Sequence, residues 1–566
     1  MGGALATIFP ELDAPELARL LDWVDTLTEG VGADGEPFDV HAPAGDHADA
    51  ARGTIFGDVV APLVADVLDR TDADLRALPL GAPDRVSARI RTHAVRQATT
   101  LGARFLLRRL DAERREGRLR GTTPEERFAD FVDHAASPQG RAALADDLPD
   151  LVAWLRHVTR LRTTALVEAL GATTREWDAL TRTLPGLDAR DRVVDLSPGA
   201  GDTHGGGAAV AILELASGAR VVTKPRSLAV EQGFARFTGW FGERTGVPLP
   251  APASWTSGRR GWVEFVASDR SRSHPDYLRT AGTLLAALHL LRATDMHYEN
   301  LVPDPSGLPV VIDAESLFTP ALVGTDRPAE GLLGVVATGM LSLRREVAEG
   351  VEGAEGTADL LDPGALGYRA GGRSPYSSWR AVNPGRDDMR LEMTPVRVEA
   401  ESPVPAGVER DLRAAEALAS AYEQAVDGVL ADREAVAAAI ERCFESGEVR
   451  YIHRPTMSYA QVLRMATHPA FATHRDRHRA LARLAVLAPR TPPALLDSEV
   501  LQLTDGDLPS FSVPLRGTTV LDGRGGTTGA RAVAAPLEQC VRAVRGLSVE
   551  DVEREAEQVR GSLSAW

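Results

Sequence analysis

Three polar residues follow an apolar run at a spacing that phosphoryl-transfer enzymes use. Asp295, Asn300 and Asp313 lie within residues 293–318, on either side of a Pro/Gly turn. In kinase-type transfer, a loop aspartate accepts the proton of the substrate hydroxyl, an asparagine five residues later holds Mg²⁺, and an aspartate after the next strand holds the metal against the phosphates. The spacing therefore favours kinase-like chemistry over a plain polar loop followed by a strand.

A single lysine marks a second candidate contact to phosphate. Lys224 is the only lysine of the chain, and every other residue of the Lys/Arg pair is arginine. Because an ammonium is a compact point charge and a guanidinium is a planar fork, the exception indicates a position where arginine will not serve. Lys224 ends a predicted hairpin that follows the glycine-rich stretch 197–207. A kinase covers and grips the phosphates of ATP with a glycine-rich loop, a hairpin and a lysine in this order.

The elements that position these residues are predicted from hydrophobic periodicity and turn residues. A buried helical run, 283–291, leads to Asp295, and an apolar strand, 309–312, ends at Asp313. Further strands are predicted over 193–196, 209–215, 219–223 and 262–266.

The rest of the chain is predicted to be mainly helical. Apolar positions recur at spacings of three and four residues over 17–24, 86–109 and 148–170, and long helices are also predicted within 412–443. Thr123-Pro124-Glu125-Glu126 is typical of a helix start. By contrast, the Gly-, Pro- and Asp-rich stretch 350–385 predicts an irregular, mobile loop.

Composition limits the class of protein. A chain of 566 residues is too long for one core and predicts two to four domains. The net charge of −17 argues against general binding to nucleic acid or anionic membranes. Two cysteines cannot form a disulfide framework, which fits a reducing cytoplasm, and neither a secretory signal nor an apolar run long enough for a membrane span is evident.

In order along the chain, these motifs resemble the dehydratase domain of class II lanthipeptide synthetases, the LanM type. The resemblance covers residues from about 120 to the C-terminus. It is carried by Thr123 to Phe128, Gly201-Asp202-Thr203-His204, Thr223-Lys224-Pro225-Arg226, Thr294 to Asn300, Ile312-Asp313-Ala314-Glu315, Arg450 to Tyr459 and Gly506-Asp507-Leu508-Pro509.

The resemblance implies an α+β, lipid-kinase-like fold with two lobes and additional helical elements. The expected division is a helical region over 1–190, a small lobe over 191–270 and a large lobe over 271–566, which contains an activation-type loop and the elimination segment. It also implies two reactions on Ser and Thr of a leader–core precursor peptide. ATP phosphorylates the hydroxyl, and phosphate is then eliminated to give dehydroalanine or dehydrobutyrine.

The resemblance also assigns roles to site residues. Phosphorylation is expected to use Asp295 and His297, with Asn300 and Asp313 as Mg²⁺ ligands. Contacts to ATP are expected from Gly205, Gly206, Lys224 and Glu315. Elimination is expected to use Asp202, His204, Lys224, Arg450 and Thr456. This second group suits the reaction, because elimination must remove a weakly acidic Cα proton and neutralise the departing phosphate.

Two alternatives remain from the sequence. One is a kinase that only phosphorylates a peptide or a small molecule, against which Arg450 and Thr456 count. The other is an inactive peptide-binding scaffold, and the residues that count against it are Asp295, Asn300, Asp313 and Lys224. A C-terminal zinc cyclase is not expected within this chain, so no zinc is predicted and a separate cyclase becomes a candidate partner.

Overall fold

The computed structural model describes residues 5, 7–31, 53–325, 328, 330–343, 360–487 and 491–563. The predicted loop over 350–385 therefore lies partly outside the described residues. Cys443 and Cys540 are both free thiols, which confirms the expectation that they form no disulfide.

The α-helices account for nearly half of the described chain. Two 3₁₀ helices, Ala61–Val64 and Val335–Thr338, accompany them. In chain order the α-helices are α1 Ala14–Leu27, α2 Gly57–Val60, α3 Ala65–Arg76, α4 Pro83–Arg115, α5 Pro124–Ala136, α6 Pro138–Asp147, α7 Pro149–Arg175, α8 Trp177–Thr183, α9 Ala229–Thr245, α10 Tyr277–Leu290, α11 Leu412–Ala431, α12 Arg433–Cys443, α13 Thr456–Ala466, α14 His474–Leu481, α15 Arg483–Leu487, α16 Pro493–Thr504, α17 Pro536–Arg545 and α18 Val549–Leu563.

The strands form two larger antiparallel sheets and two hairpins. One sheet has the order β1-β2-β3-β5-β4, the other has the order β10-β11-β12-β13, and β6 pairs with β7 and β8 with β9. The strands are β1 Val193–Pro198, β2 Ala211–Leu215, β3 Arg220–Lys224, β4 Ser254–Ser257, β5 Arg260–Glu264, β6 Leu301–Pro303, β7 Pro309–Val311, β8 Gly372–Val382, β9 Arg390–Val398, β10 Glu448–Tyr451, β11 Phe511–Pro514, β12 Thr519–Asp522 and β13 Thr527–Arg531.

Four of the five strands of the larger sheet lie where the sequence predicts strands, whereas β4 was not predicted. β2 and β3 form a hairpin in which Ala211 pairs with Thr223, and Lys224 is the last residue of β3, opposite Gly261 of β5. Helices from the first part of the chain cover this sheet. Leu75, Ile90 and other apolar residues of α3, α4 and α7 share one core with the inward residues of β1, β2 and β3. The sheet thus carries Lys224 on a rigid, well-packed support.

A largely buried helix leads to the Asp295 stretch. Every residue of α10 from Thr280 to Leu290 is buried, and the helix packs against α11. A helix that is apolar on all sides is stable only when other elements enclose it. The chain then turns sharply, and Asp295 itself has a left-handed backbone with φ of 68°. Because a side chain rarely adopts this conformation without tertiary support, the surrounding core holds Asp295 in place.

The prediction of an irregular loop over 350–385 is wrong for residues 372–382. They form β8, which pairs with β9 in a hairpin where Trp379 lies opposite Met393. Glycine and proline at the start of the stretch indicate a loop. However, Ser378 and Trp379 pair with Thr394 and Met393, more than ten residues away in the chain. Cross-strand pairing therefore outweighs the local composition.

Candidate functional site

A cleft of about 1320 Å³ lies where the five-stranded sheet, the Asp295–Glu315 stretch and the four-stranded sheet meet. It is lined by all the residues predicted for the site except Gly206. The tertiary structure therefore brings together groups that lie more than 200 residues apart in the chain. Those at the cleft are Asp202, His204, Gly205, Lys224, Asp295, His297, Asn300, Asp313, Glu315, Arg450 and Thr456.

Asp295, His297 and Asn300 form one hydrogen-bonded loop. The Asn300 side-chain Nδ2 donates to the Asp295 carbonyl oxygen at 2.7 Å, and His297 Nε2 lies 3.7 Å from Asp295 Oδ1. Burial raises the pKa of the Asp295 carboxyl, although the charges of His297 and Arg450 oppose that effect. A carboxyl with a raised pKa is a better proton acceptor than an ordinary aspartate. The geometry thus suits Asp295 for taking a proton from a hydroxyl group.

Asp313 follows β7 directly and meets two cations. Lys224 Nζ lies 3.1 Å from Asp313 Oδ1 and donates to the Ile312 carbonyl oxygen at 3.0 Å. Arg226 Nη2 reaches the same Asp313 oxygen at 2.5 Å. Lys224 is 5% exposed, so its ammonium is held at the cleft wall and cannot move freely in solvent.

Glu315 connects the two predicted groups of residues. Its carboxylate accepts from Arg450 Nη1 and lies 2.6 Å from Arg226 Nε. Burial acts to raise the pKa of Glu315, but Arg450 and Arg226 lower it below the ordinary value. Glu315 is therefore an anion that contacts two cations, Arg226 beside Asp313 and Arg450 on β10.

Arg226 is a site residue for which the sequence offered no assigned role. Besides Asp313 and Glu315, its guanidinium contacts Glu231 of α9, whose side chain is 11% exposed. Burial opposes its charge, yet these three carboxylates together raise its pKa above the ordinary value. The motif Thr223-Lys224-Pro225-Arg226 includes this arginine, but the motif alone does not predict its ion pairs with distant residues.

The glycine-rich loop is attached to a segment near the C-terminus. Gly206 and Gly207 both donate their N–H groups to Asp507 Oδ2, at 2.7 and 2.8 Å. Gly205 has φ of 56°, and a Cβ at this position would lie 2.4 Å from the Gly523 carbonyl oxygen. The Gly206 amide is thus occupied by Asp507, whereas Gly205 lines the cleft. The loop needs glycine for this close approach.

His204 is oriented by the same segment. Its Nδ1 lies 2.6 Å from the Leu508 carbonyl oxygen. Because a carbonyl can only accept, Nδ1 carries the proton and Nε2 of the neutral ring keeps its lone pair. Burial lowers the pKa of His204, and the charge of Arg450 lowers it further. His204 therefore presents an unprotonated nitrogen.

The acidic and basic side chains of the cleft suit the binding of a Mg²⁺–nucleotide better than the binding of a metal ion by protein ligands alone. Mg²⁺ is usually bound by one or two carboxylates, with substrate phosphates and water as its other ligands. Asp313 and Asn300 supply such oxygens, and Lys224 and Arg226 lie beside Asp313 for phosphate. Across the described ranges, no three histidine, cysteine or acidic side chains come together as they would around a metal ion. The absence of zinc stays a prediction.

Among the residues that the structure describes, no helix combines sufficient length with sufficient apolar character to cross a bilayer.

The fold and the cleft define a protein of mixed helices and sheets with acidic, basic and amide groups facing one another. The chain belongs to the DUF4135 family, described as a domain of unknown function, whose family model matches residues 148–514. It is also similar to the lacticin 481/lactococcin biosynthesis protein LcnDR2 of Lactococcus lactis subsp. lactis, with 21% identity over 485 residues. This match covers 81% of the chain and 50% of that protein, so the chain spans about half the length of the curated relative it matches. The resemblance to class II lanthipeptide synthetases is thereby confirmed.

Proposed function

We propose that this chain is a peptide Ser/Thr dehydratase of lanthipeptide biosynthesis that phosphorylates a precursor peptide with ATP and then eliminates phosphate. One observation carries the proposal. The residues expected for phosphorylation and those expected for elimination line the same cleft, and Glu315 contacts cations of both groups. A two-step reaction can therefore proceed without transfer of the peptide to another site.

In the first step, the hydroxyl oxygen of a Ser or Thr attacks the γ-phosphorus of ATP. The new O–P bond forms as the bond from phosphorus to the β–γ bridging oxygen breaks, and ADP leaves. Asp295 accepts the hydroxyl proton, for which its raised pKa suits it. Mg²⁺, held by Asp313 and Asn300, would neutralise charge on the phosphates. Lys224 contributes a fixed positive charge beside Asp313.

In the second step, the Cα proton is removed, the Cβ–O bond breaks and inorganic phosphate leaves. The electron pair of the C–H bond becomes the new Cα=Cβ double bond of dehydroalanine or dehydrobutyrine. His204 is the best-placed base, because its Nε2 is unprotonated. Arg450 supplies positive charge for the departing phosphate, and Thr456, the first residue of α13, can donate a hydroxyl hydrogen bond.

The biosynthetic role rests on the relative, whose name links it to lacticin 481/lactococcin biosynthesis. The proposed partner is a leader–core precursor peptide, and a separate cyclase is a proposed partner for ring formation. Nucleic acid is not a proposed partner, in view of the net charge of −17.

The test is incubation of the purified chain with ATP, Mg²⁺ and a precursor peptide encoded next to its gene, followed by intact-peptide mass spectrometry. Loss of one water per modified residue is the expected result. Product that stops at the phosphopeptide would favour the kinase-only function. Unmodified peptide that nevertheless binds the chain would favour the scaffold.

A further inference from the structure

A buried ion pair lies directly behind the predicted elimination segment. Arg454 stands between Arg450 and Thr456, and its side chain turns away from the cleft to meet Glu499 of α16. Arg454 Nε donates to Glu499 Oε1 at 2.7 Å and Nη2 donates to Oε2 at 2.9 Å. Glu499 is 0% exposed and Arg454 is 8% exposed, so solvent does not screen the pair.

The same carboxylate also holds the helix that begins at Thr456. The Tyr459 hydroxyl donates to Glu499 Oε1 at 2.6 Å. Burial, reinforced by the charge of Glu499, raises the pKa of Tyr459, so the hydroxyl keeps its proton and stays a donor. Glu499 therefore fixes residues on both sides of Thr456 from a single point.

This arrangement is better explained by positioning than by stability. A buried ion pair contributes little net stability compared with well-packed apolar side chains, because both charges lose their hydration. Its geometry is strict, however, because the carboxylate must meet the planar guanidinium edge-on. Retaining such a pair next to Thr456 restricts the segment to one conformation.

We infer that Glu499 is a positioning residue for the elimination step, acting through Arg454 and Tyr459 to hold Arg450 and Thr456 in place. The inference rests on the proposed function. Glu499 does not line the cleft, so its effect must pass through the residues that it contacts. It acts on the second step alone, because the phosphorylation residues are held by other contacts, such as the one between Asn300 and the Asp295 carbonyl.

The first test is Glu499→Gln, which keeps the volume of the side chain but breaks the bidentate pair. The substrate is a chemically synthesised phosphopeptide, assayed with and without ADP. The rate of elimination is expected to fall by about 10- to 100-fold, because a small misplacement of catalytic groups slows a reaction by that order. The rate of phosphate transfer from ATP to the unmodified peptide is expected to stay within about twofold of wild type, because the positions of the phosphorylation residues do not depend on Glu499. Phosphopeptide should therefore accumulate.

A matched control is Glu555→Gln. Glu555 is also a buried glutamate, and its Oε2 accepts from the Val335 N–H at 2.7 Å on a part of the chain that does not line the cleft. Both steps are expected to keep wild-type rates in this variant. A selective loss of elimination here would show that any buried carboxylate has the same effect, and would overturn the inference.

Two further variants separate positioning from folding. Tyr459→Phe removes one contact without changing charge, and should slow elimination less than Glu499→Gln does. The double variant Arg454→Met/Glu499→Met leaves no unpaired buried charge and should therefore fold where a single variant fails to fold. Thermal unfolding followed by circular dichroism establishes folding, and elimination should remain slow in the folded double variant.

Wild-type elimination in the folded double variant, or an equal loss of both steps, would overturn the inference. Failure of the proposed function is a different result. In that case the wild-type chain itself produces no phosphopeptide and eliminates no phosphate from the synthetic phosphopeptide.

Discussion

Replacing Arg450 with alanine separates the two proposed half-reactions most directly. Arg450 lies on β10, its side chain is 18% exposed, and its guanidinium contacts Glu315. The phosphate leaves with additional negative charge as the Cβ–O bond breaks. Removing a preorganised cation from that position costs about 3 kcal/mol of transition-state stabilisation, which slows the step roughly a hundredfold or more.

Folding should survive this change. Glu315 keeps Arg226 Nε at 2.6 Å, so its carboxylate is not left without a cation. The loss in the free energy of unfolding is therefore expected to be that of one charged hydrogen bond, about 2 kcal/mol, and less than that of an uncompensated buried charge. Binding of ATP and Mg²⁺ should also persist, because Asp313 and Asn300 do not contact Arg450.

The assay is a time course of intact-peptide mass spectra with ATP and Mg²⁺. Peptide from Arg450→Ala should gain phosphate and keep it, whereas Asp295→Asn should leave the peptide unmodified. Arg450→Lys is the matched control, because it keeps the charge and loses the planar fork, and its elimination rate should be intermediate. Dehydrated peptide formed by Arg450→Ala at the wild-type rate would refute the role assigned to Arg450.

Four other results are expected. Asp313→Asn should abolish phosphorylation by weakening the metal site, which a phosphate-transfer assay checks; unchanged turnover would remove Asp313 from that site. Because burial and Arg450 lower the pKa of His204, that residue stays neutral below the ordinary histidine pKa of about 6.5. Elimination should therefore persist as the pH falls through 6.5, and a half-maximal point above that value would contradict the base assignment. Asp507→Ala removes the acceptor of the Gly206 and Gly207 amides and should slow elimination, whereas Asp507→Asn can retain an acceptor and should be milder; equal rates would contradict the anchoring role. Elemental analysis of the purified chain should detect no stoichiometric zinc.

Local features of the site could be predicted because they depend on short stretches of sequence. The spacing of Asp295, Asn300 and Asp313 lies within one loop and one hairpin. Lys224 is marked by its uniqueness and by the end of a strand whose periodicity is plain. The structure places β3 and β7 where the periodicity predicts them, because apolar alternation and turn residues act over a few residues.

Contacts between distant segments could not be predicted in the same way. Arg226 meets Asp313 across 87 residues, Asp507 meets Gly206 across 301, and Arg454 meets Glu499 across 45. The hydrophobic periodicity of the sequence does not predict which buried charges will pair, because the packing of whole helices and strands determines their partners. The sequence by itself thus determined the reactive groups and the elements that carry them. Only the tertiary structure decided which cation neutralises which carboxylate, since burial makes an unpaired charge costly and leaves one arrangement favoured.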